Sequence, residues 1–253
     1  MNMTLKYLSI LLVITSASLV AKTQELSPEI GKIVCQNRVP LHIHPGSSNQ
    51  QNNTLSLPDT GIASTENNGQ LTLSETREKV TGPAILEVSS HSLDIQCKDK
   101  CHIIIGNTAN TTINLDMSDL CHTEIDGIAR LNHVKQKHSS QLTGQWIDTR
   151  QFHYSATDNA SAKLAGFIEF ASFDIQKNSS IDISDTDIKK AWVKTVDNAK
   201  IGLRPLDELY AYSGGSSRVY FINRAKLSLL TEDSNDSRIL WINPTYLDEI
   251  YTG

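Results

Sequence analysis

Thr157-Asp158-Asn159-Ala160-Ser161-Ala162-Lys163-Leu164 is a polar turn followed by strict alternation of apolar and polar side chains, and it opens a series of four such units. The turns Gln176-Lys177-Asn178-Ser179, Val196-Asp197-Asn198-Ala199 and Gly214-Gly215-Ser216-Ser217 follow at intervals of 18 to 20 residues. Three residues beyond Asn159, Asn178, Asn198 and Ser216 stand Ala162, Ile181, Ile201 and Val219, and five beyond stand Leu164, Ile183, Leu203 and Phe221. These two apolar columns are the expected core. The columns beside them, Ser161, Ser180, Lys200, Arg218 and Lys163, Asp182, Gly202, Tyr220, have a solvent-facing composition with one aromatic exception. Period-two alternation marks strands, and its return at a fixed interval marks strands wound turn upon turn. The sequence therefore predicts an all-β, single-stranded parallel β-solenoid.

The pattern extends upstream. Asn110-Thr111-Thr112-Ile113-Asn114-Leu115 fits the same template, and Leu71 to Leu73, Ala84 to Val88, Ser92 to Gln96 and His102 to Ile105 are strand-like. Repeat length varies between Asn110 and Asn159. The solenoid is expected over residues 71–225. Ahead of it, Ser47 to Gln70 is rich in Ser, Asn, Gln, Thr and Gly. Such a composition buries too little apolar surface to offset its ordering entropy, so residues 22–70 read as a flexible N-terminal arm and low-complexity linker. Only Pro40 to His44 looks strand-like there. Residues 226–253 depart from the repeat and read as a C-terminal cap or tail, since an uncovered end turn exposes unpaired backbone groups.

Lys6 precedes the apolar run Tyr7 to Ala21, which ends in small residues. This is the form of a cleaved secretory leader over residues 1–21, and its core is short against the roughly 20 residues that span a bilayer. The expectation is an exported protein, periplasmic or at the cell surface, with no integral membrane segment after leader removal. Lys+Arg of 23 against Asp+Glu of 28 gives a net charge of −5, and loss of Lys6 with the leader makes it 22 − 28 = −6. A mildly acidic chain without a basic cluster has no footprint for nucleic acid.

Export places Cys35, Cys97, Cys101 and Cys121 in an oxidising compartment, so all four are disulfide candidates. Cys101 and Cys121 lie one turn apart by the 20-residue count, which stacks them on neighbouring rungs and leaves Cys35 with Cys97 to staple the arm. That pairing is one hypothesis among the three that four cysteines admit, which the sequence does not separate.

Arg77-Glu78-Lys79-Val80 leading into Gly82-Pro83-Ala84-Ile85-Leu86-Glu87-Val88, and Leu209 to Asn223 (LYAYSGGSSRVYFIN), resemble the opening strand and closing repeat of the bacterial head GIN domain of autotransporter adhesins. The resemblance covers about Arg77 to Asn223. It implies a right-handed parallel β-solenoid, exported to the envelope or surface, with no assigned enzymatic activity. The Gly-Ser-Gly-Asp turns of that family appear here only as Gly214-Gly215-Ser216-Ser217, the others being Asn-centred; Asn tolerates the left-handed conformation that such turns require.

Function is expected on the outer face, where Tyr154, Lys163, Asp182, Lys200, Arg218 and Tyr220 form a candidate strip for a glycan or an envelope protein. The leading reading is an exported, non-enzymatic, adhesin-like protein. A carbohydrate-active enzyme using Asp182, Asp185 or Asp197 is the alternative from another class, and a spacer whose terminal segments bind a partner is the third. Asp182, Asp185, Asp187 and Asp197 offer oxygen ligands for calcium only if they converge. His42 and His44 share a strand face near Cys35, and Cys97, Cys101-His102 and Cys121-His122 include zinc-ligand types. Exposed strand histidines and exported disulfides explain the same residues, so neither a metal nor a cofactor is expected. Neither a Gly-x-Ser-x-Gly elbow nor a phosphate or dinucleotide loop occurs.

Overall fold

The computed structural model describes residues 22–46, 52–223, 225–231 and 238–243, without the side chains of 230 and 231. The expected leader lies outside the described residues. No helix occurs among those described; 69% is strand, wound as a β-solenoid of about 7 turns. The N-terminal turns use short strands: β1 (Lys22–Glu25), β2 (Lys32–Gln36), β3 (Pro40–Pro45), β4 (Thr54–Leu57), β5 (Ile62–Asn67), β6 (Gln70–Glu75), β7 (Ala84–Val88), β8 (Ser92–Cys97) and β9 (His102–Ile105). The stack then lengthens through β10 (Thr108–Met117), β11 (His122–Gln136), β12 (Gln141–Ala156), β13 (Ser161–Ile175), β14 (Ser180–Thr195) and β15 (Lys200–Ser213). It ends with β16 (Arg218–Phe221), β17 (Lys226–Thr231) and β18 (Arg238–Trp241).

Each long strand is most of one turn and pairs in parallel with the next. Ala162 is opposite Ile181, Ile181 opposite Ile201, and Ile201 opposite Val219. All eight expected core positions are buried. Burying an aliphatic side chain of this size is worth roughly 1.5 to 3 kcal/mol, so these like-on-like columns hold successive turns in register. Within β14 the inward residues are Ile181 and Ile183, then Thr186 and Ile188, then Ala191, Val193 and Thr195. The strand is thus three straight runs joined at two corners.

The turns closing each winding are built from left-handed residues. Asp158 and Asn159 have φ of 61° and 67°, and Lys177 and Asn178 have 44° and 46°. Positive φ at both central positions is the type I′ geometry, which favours Asn and Asp. The Ser179 amide donates to the Gln176 carbonyl at 3.4 Å, and the Ala199 amide to that of Val196 at 3.3 Å. The residue leaving each turn is Cys101, Cys121, Ser140, Ala160, Ser179, Ala199 or Ser217, each wholly buried. Only a small side chain fits inside so sharp a bend.

Three expectations are corrected. The residues read as arm and linker carry strands: β2 pairs in parallel with β6 and β8, β3 with β7 and β9, and β5 forms an antiparallel hairpin with β6. Leu55, Leu57 and Ile62 are buried, enough apolar area to order a segment that is polar on average. Of the residues beyond 225, those described likewise continue the parallel pairing, β17 on β15 and β18 on β16. Finally, the disulfide joins Cys97 to Cys121 across 5.9 Å between Cα atoms, and Cys101 lies beside Cys35. Stacked residues point in parallel, whereas residues on opposite sides of a turn converge. The Cys97–Cys121 bridge therefore runs diagonally, within the usual Cα span of a disulfide, while Cys35 and Cys101 are unbonded.

Candidate ligand-binding face

The outer face of the first straight run collects four of the six strip residues. Lys163 is opposite Asp182, and Lys200 is opposite Arg218 in the adjoining column. Lys163 Nζ lies 3.9 Å from an Asp182 oxygen, a loose pair; that carboxylate also accepts from Ser184 Oγ at 2.6 Å. Exposed pairs of this kind contribute little, roughly 0 to 1 kcal/mol. Their value lies in presenting charge rather than in holding the fold.

Tyr154 and Tyr220 do not belong to the strip. Tyr154 is 3% exposed, and its ring packs 5.9 Å from Phe152 and 6.2 Å from Phe173. Its hydroxyl donates to Gln136 Oε1, and burial raises its pKa well above the ordinary phenol value. The alternation counted backward from Ala156 places Tyr154 inward, in step with Phe152. Tyr220 stands in the outer column opposite Gly202 yet is only 5% exposed.

The aromatic side chains that do face outward were not singled out by the alternation counted forward from the turns. Trp146 is 63% exposed, and Trp192 and Tyr210 stack at 5.7 Å with planes 6° apart. The same backward count reveals the last two, because Trp192 stands between inward Ala191 and Val193, and Tyr210 between inward Leu209 and Ala211. Burial would raise the pKa of Glu208 beside this stack, but hydrogen bonds from Tyr210 and Lys190 outweigh that and hold it below the usual carboxylate value. The stack thus has a carboxylate and an ammonium at its edge.

Trp146 stands at a corner. Register slips between Gly144 and Ile147 as β12 pairs with β13, so Gln145 and Trp146 bulge outward while the facing turn has only Ala165 between Leu164 and Gly166. A bulge of this kind bends the strand and re-aims its side chains. Gly166, at φ 142°, lies so close to Ile147 that a Cβ would strike the Ile147 carbonyl. The result is a cleft of about 600 Å³ lined by Gln145, Trp146, Lys163, Leu164 and Asp185 over a glycine and alanine floor. Asp185 and Asp187 both approach Arg204, at 3.6 and 3.4 Å. Asp197 sits in the turn at the far end of β14, with φ 61°. The aspartates considered for hydrolysis or calcium therefore do not share one spot.

Residues 48–225 match the family described as "Putative auto-transporter adhesin, head GIN domain". The chain belongs to the head GIN domain family. Solved structures agree on the fold. One from Parabacteroides distasonis, described as a "putative lipid binding protein", has a TM-score of 0.70 at 14% identity, covering 88% of this chain and 96% of its own. A "putative adhesin" of the same organism gives 0.67 at 11%, covering 88% and 94%. Another from Parabacteroides merdae gives 0.66 at 12%, covering 90% and 98%. No curated protein matches the chain. At such low identity the likeness concerns the winding of the backbone.

Proposed function

We propose that this head GIN domain protein is an exported, non-enzymatic, adhesin-like binding module, and that the Trp146 cleft takes a surface glycan. The observation that carries the reading is a largely exposed indole in a cleft whose rim bears an amide, an ammonium and a carboxylate, those of Gln145, Lys163 and Asp185. A sugar ring presents an apolar C–H face and an equatorial ring of hydroxyls. An indole flanked by convergent donors and acceptors suits both at once. The Trp192–Tyr210 stack offers a second apolar platform, consistent with weak contacts repeated along one rod. The Cys97–Cys121 bridge supports the exported part of the reading, since such bonds persist in oxidising compartments.

A glycan array probed with the mature chain, repeated with Trp146→Ala, tests the assignment. Binding to defined glycans that falls at least about 10-fold in the variant, the equivalent of 1.4 kcal/mol, is the expected result. Undiminished glycan binding by Trp146→Ala removes the cleft from the proposal. Binding to phospholipid vesicles in place of any glycan replaces the ligand class.

A further inference from the structure

We propose that His102, His122 and Glu124 form a binding site for a transition-metal dication of the zinc or copper class. His102 on β9 is directly opposite His122 on β11, and Glu124 lies two residues along β11 on the same outer face. The imidazole rings are 5.0 Å apart and tilted by 56°, and one ligand atom from each of the three residues lies within 4.8 Å of the others. Two imidazoles and a carboxylate on one face make a three-ligand set with open positions for water or a ligand. Metal–ligand bonds of about 2.0 to 2.2 Å require the three atoms to close in slightly, which exposed side chains achieve by rotation while the strands stay fixed.

Two further features separate this cluster from ordinary surface histidines. Glu124 has no ion-pair partner among the described residues, and among those residues no other carboxylate is grouped with two histidines within ligand distance. A carboxylate beside two histidines and facing no cation is free to take a metal. The strands are also braced from behind, because Cys101 and Cys121 immediately precede the two histidines and Cys121 is bonded to Cys97. The fold thus fixes the rung spacing that sets the imidazole separation. One carboxylate is too few oxygens for calcium, and imidazole favours zinc or copper.

Isothermal titration of the untagged, disulfide-intact chain with Zn²⁺ and, separately, Cu²⁺ tests the site. His122→Ala and Glu124→Gln remove ligands, and His153→Ala is the control, because His153 stacks on His133 at 4.8 Å and pairs with Ser172 rather than a carboxylate. The expected result is one-to-one binding that weakens by at least about 10-fold in both ligand variants and is unchanged in the control, with all chains equally folded by circular dichroism. Absence of one-to-one binding by the natural chain, or equal affinity in ligand variants and control, overturns the proposal.

A separate observation carries a second inference: Cys35 and Cys101 form a disulfide parallel to the first. Their sulfurs lie 2.6 Å apart, both buried, closer than unbonded sulfur atoms settle. Each bridge joins a residue entering one turn to a residue leaving the next, Cys35 to Cys101 and Cys97 to Cys121. Formation is by exchange with a donor disulfide of the compartment: one cysteine thiolate attacks it, breaking the donor S–S bond and releasing one donor thiol, and the second attacks the mixed disulfide and releases the other, so the two protons and two electrons lost by the cysteines end on the two donor thiols. Alkylation of the unreduced, denatured chain followed by peptide mapping should yield a Cys35–Cys101 peptide and no labelled cysteine. Labelled Cys35 and Cys101 in protein refolded in an oxidising glutathione buffer, or a Cys35–Cys97 peptide, overturns it.

Discussion

Tyr154→Phe separates a buried structural phenol from a ligand-binding one. The substitution keeps the ring against Phe152 and Phe173 and deletes a single hydroxyl. That hydroxyl is the donor to Gln136 Oε1, while Gln136 Nε2 is already committed to the Ser140 carbonyl at 3.2 Å and the Ser161 carbonyl at 3.1 Å. The amide is held by its nitrogen and cannot swing to another partner, so its oxygen is left buried and unsatisfied. Such a loss costs about 1 to 3 kcal/mol. In a chain of this size each kcal/mol moves Tm by about 2 to 4 °C, giving a drop of about 2 to 12 °C. The pH dependence supplies an independent check. Because burial raises the native pKa, stability from the neutral phenol is fully present below the unfolded value of about 10 and is lost as pH rises above it, where only the unfolded chain releases the proton. Urea denaturation at pH 7 and at pH 10.5 should therefore show natural protein losing stability with alkalinity and Tyr154→Phe losing less. Unchanged stability with reduced glycan binding would refute the burial argument and return Tyr154 to the surface.

Ile201→Asp places a charge in a wholly buried column and should abolish cooperative folding of the C-terminal turns, while Lys200→Asp next to it should change stability by less than about 0.5 kcal/mol; equal losses in thermal melts would reverse the assigned inside and outside. Gly166→Ala demands a left-handed alanine against the Ile147 carbonyl and should cost about 1 to 3 kcal/mol or more, measured by urea denaturation; a neutral result would mean the corner is wider than described. The Lys177 ammonium hydrogen-bonds Asp158 at 2.8 Å and lowers that carboxyl's pKa, so its small contribution is present above the unfolded carboxyl value and disappears as pH falls through the native one. Both groups are exposed, and Lys177→Ala should hardly move Tm at pH 7 while shifting the Asp158 titration upward by NMR.

The local pattern carried the solenoid because backbone parity is a local property. Counting three and five residues beyond each turn identified all eight core positions, and Asn at the turns announced the left-handed geometry found at Asn159 and Asn178. The same parity, counted backward from Ala156 and Thr195, separates inward Tyr154 from outward Trp192. The N-terminal turns were harder to see, because there a rung is assembled from short pieces such as β2 and β3, with the β5–β6 hairpin inserted between this rung and the next, and no constant spacing survives.

What the sequence determined alone was therefore the strand period, the turn chemistry and the inward columns, all set within a few residues of chain. The tertiary structure decided which residues from different windings converge: Trp146 with Lys163 and Asp185, His102 with His122 and Glu124, and the diagonal rather than stacked cysteine pairs. Those meetings depend on where each strand bends and slips register. The bends arise from backbone packing between turns, as where Gly166 lies against Ile147, and such contacts join residues that no single repeat contains.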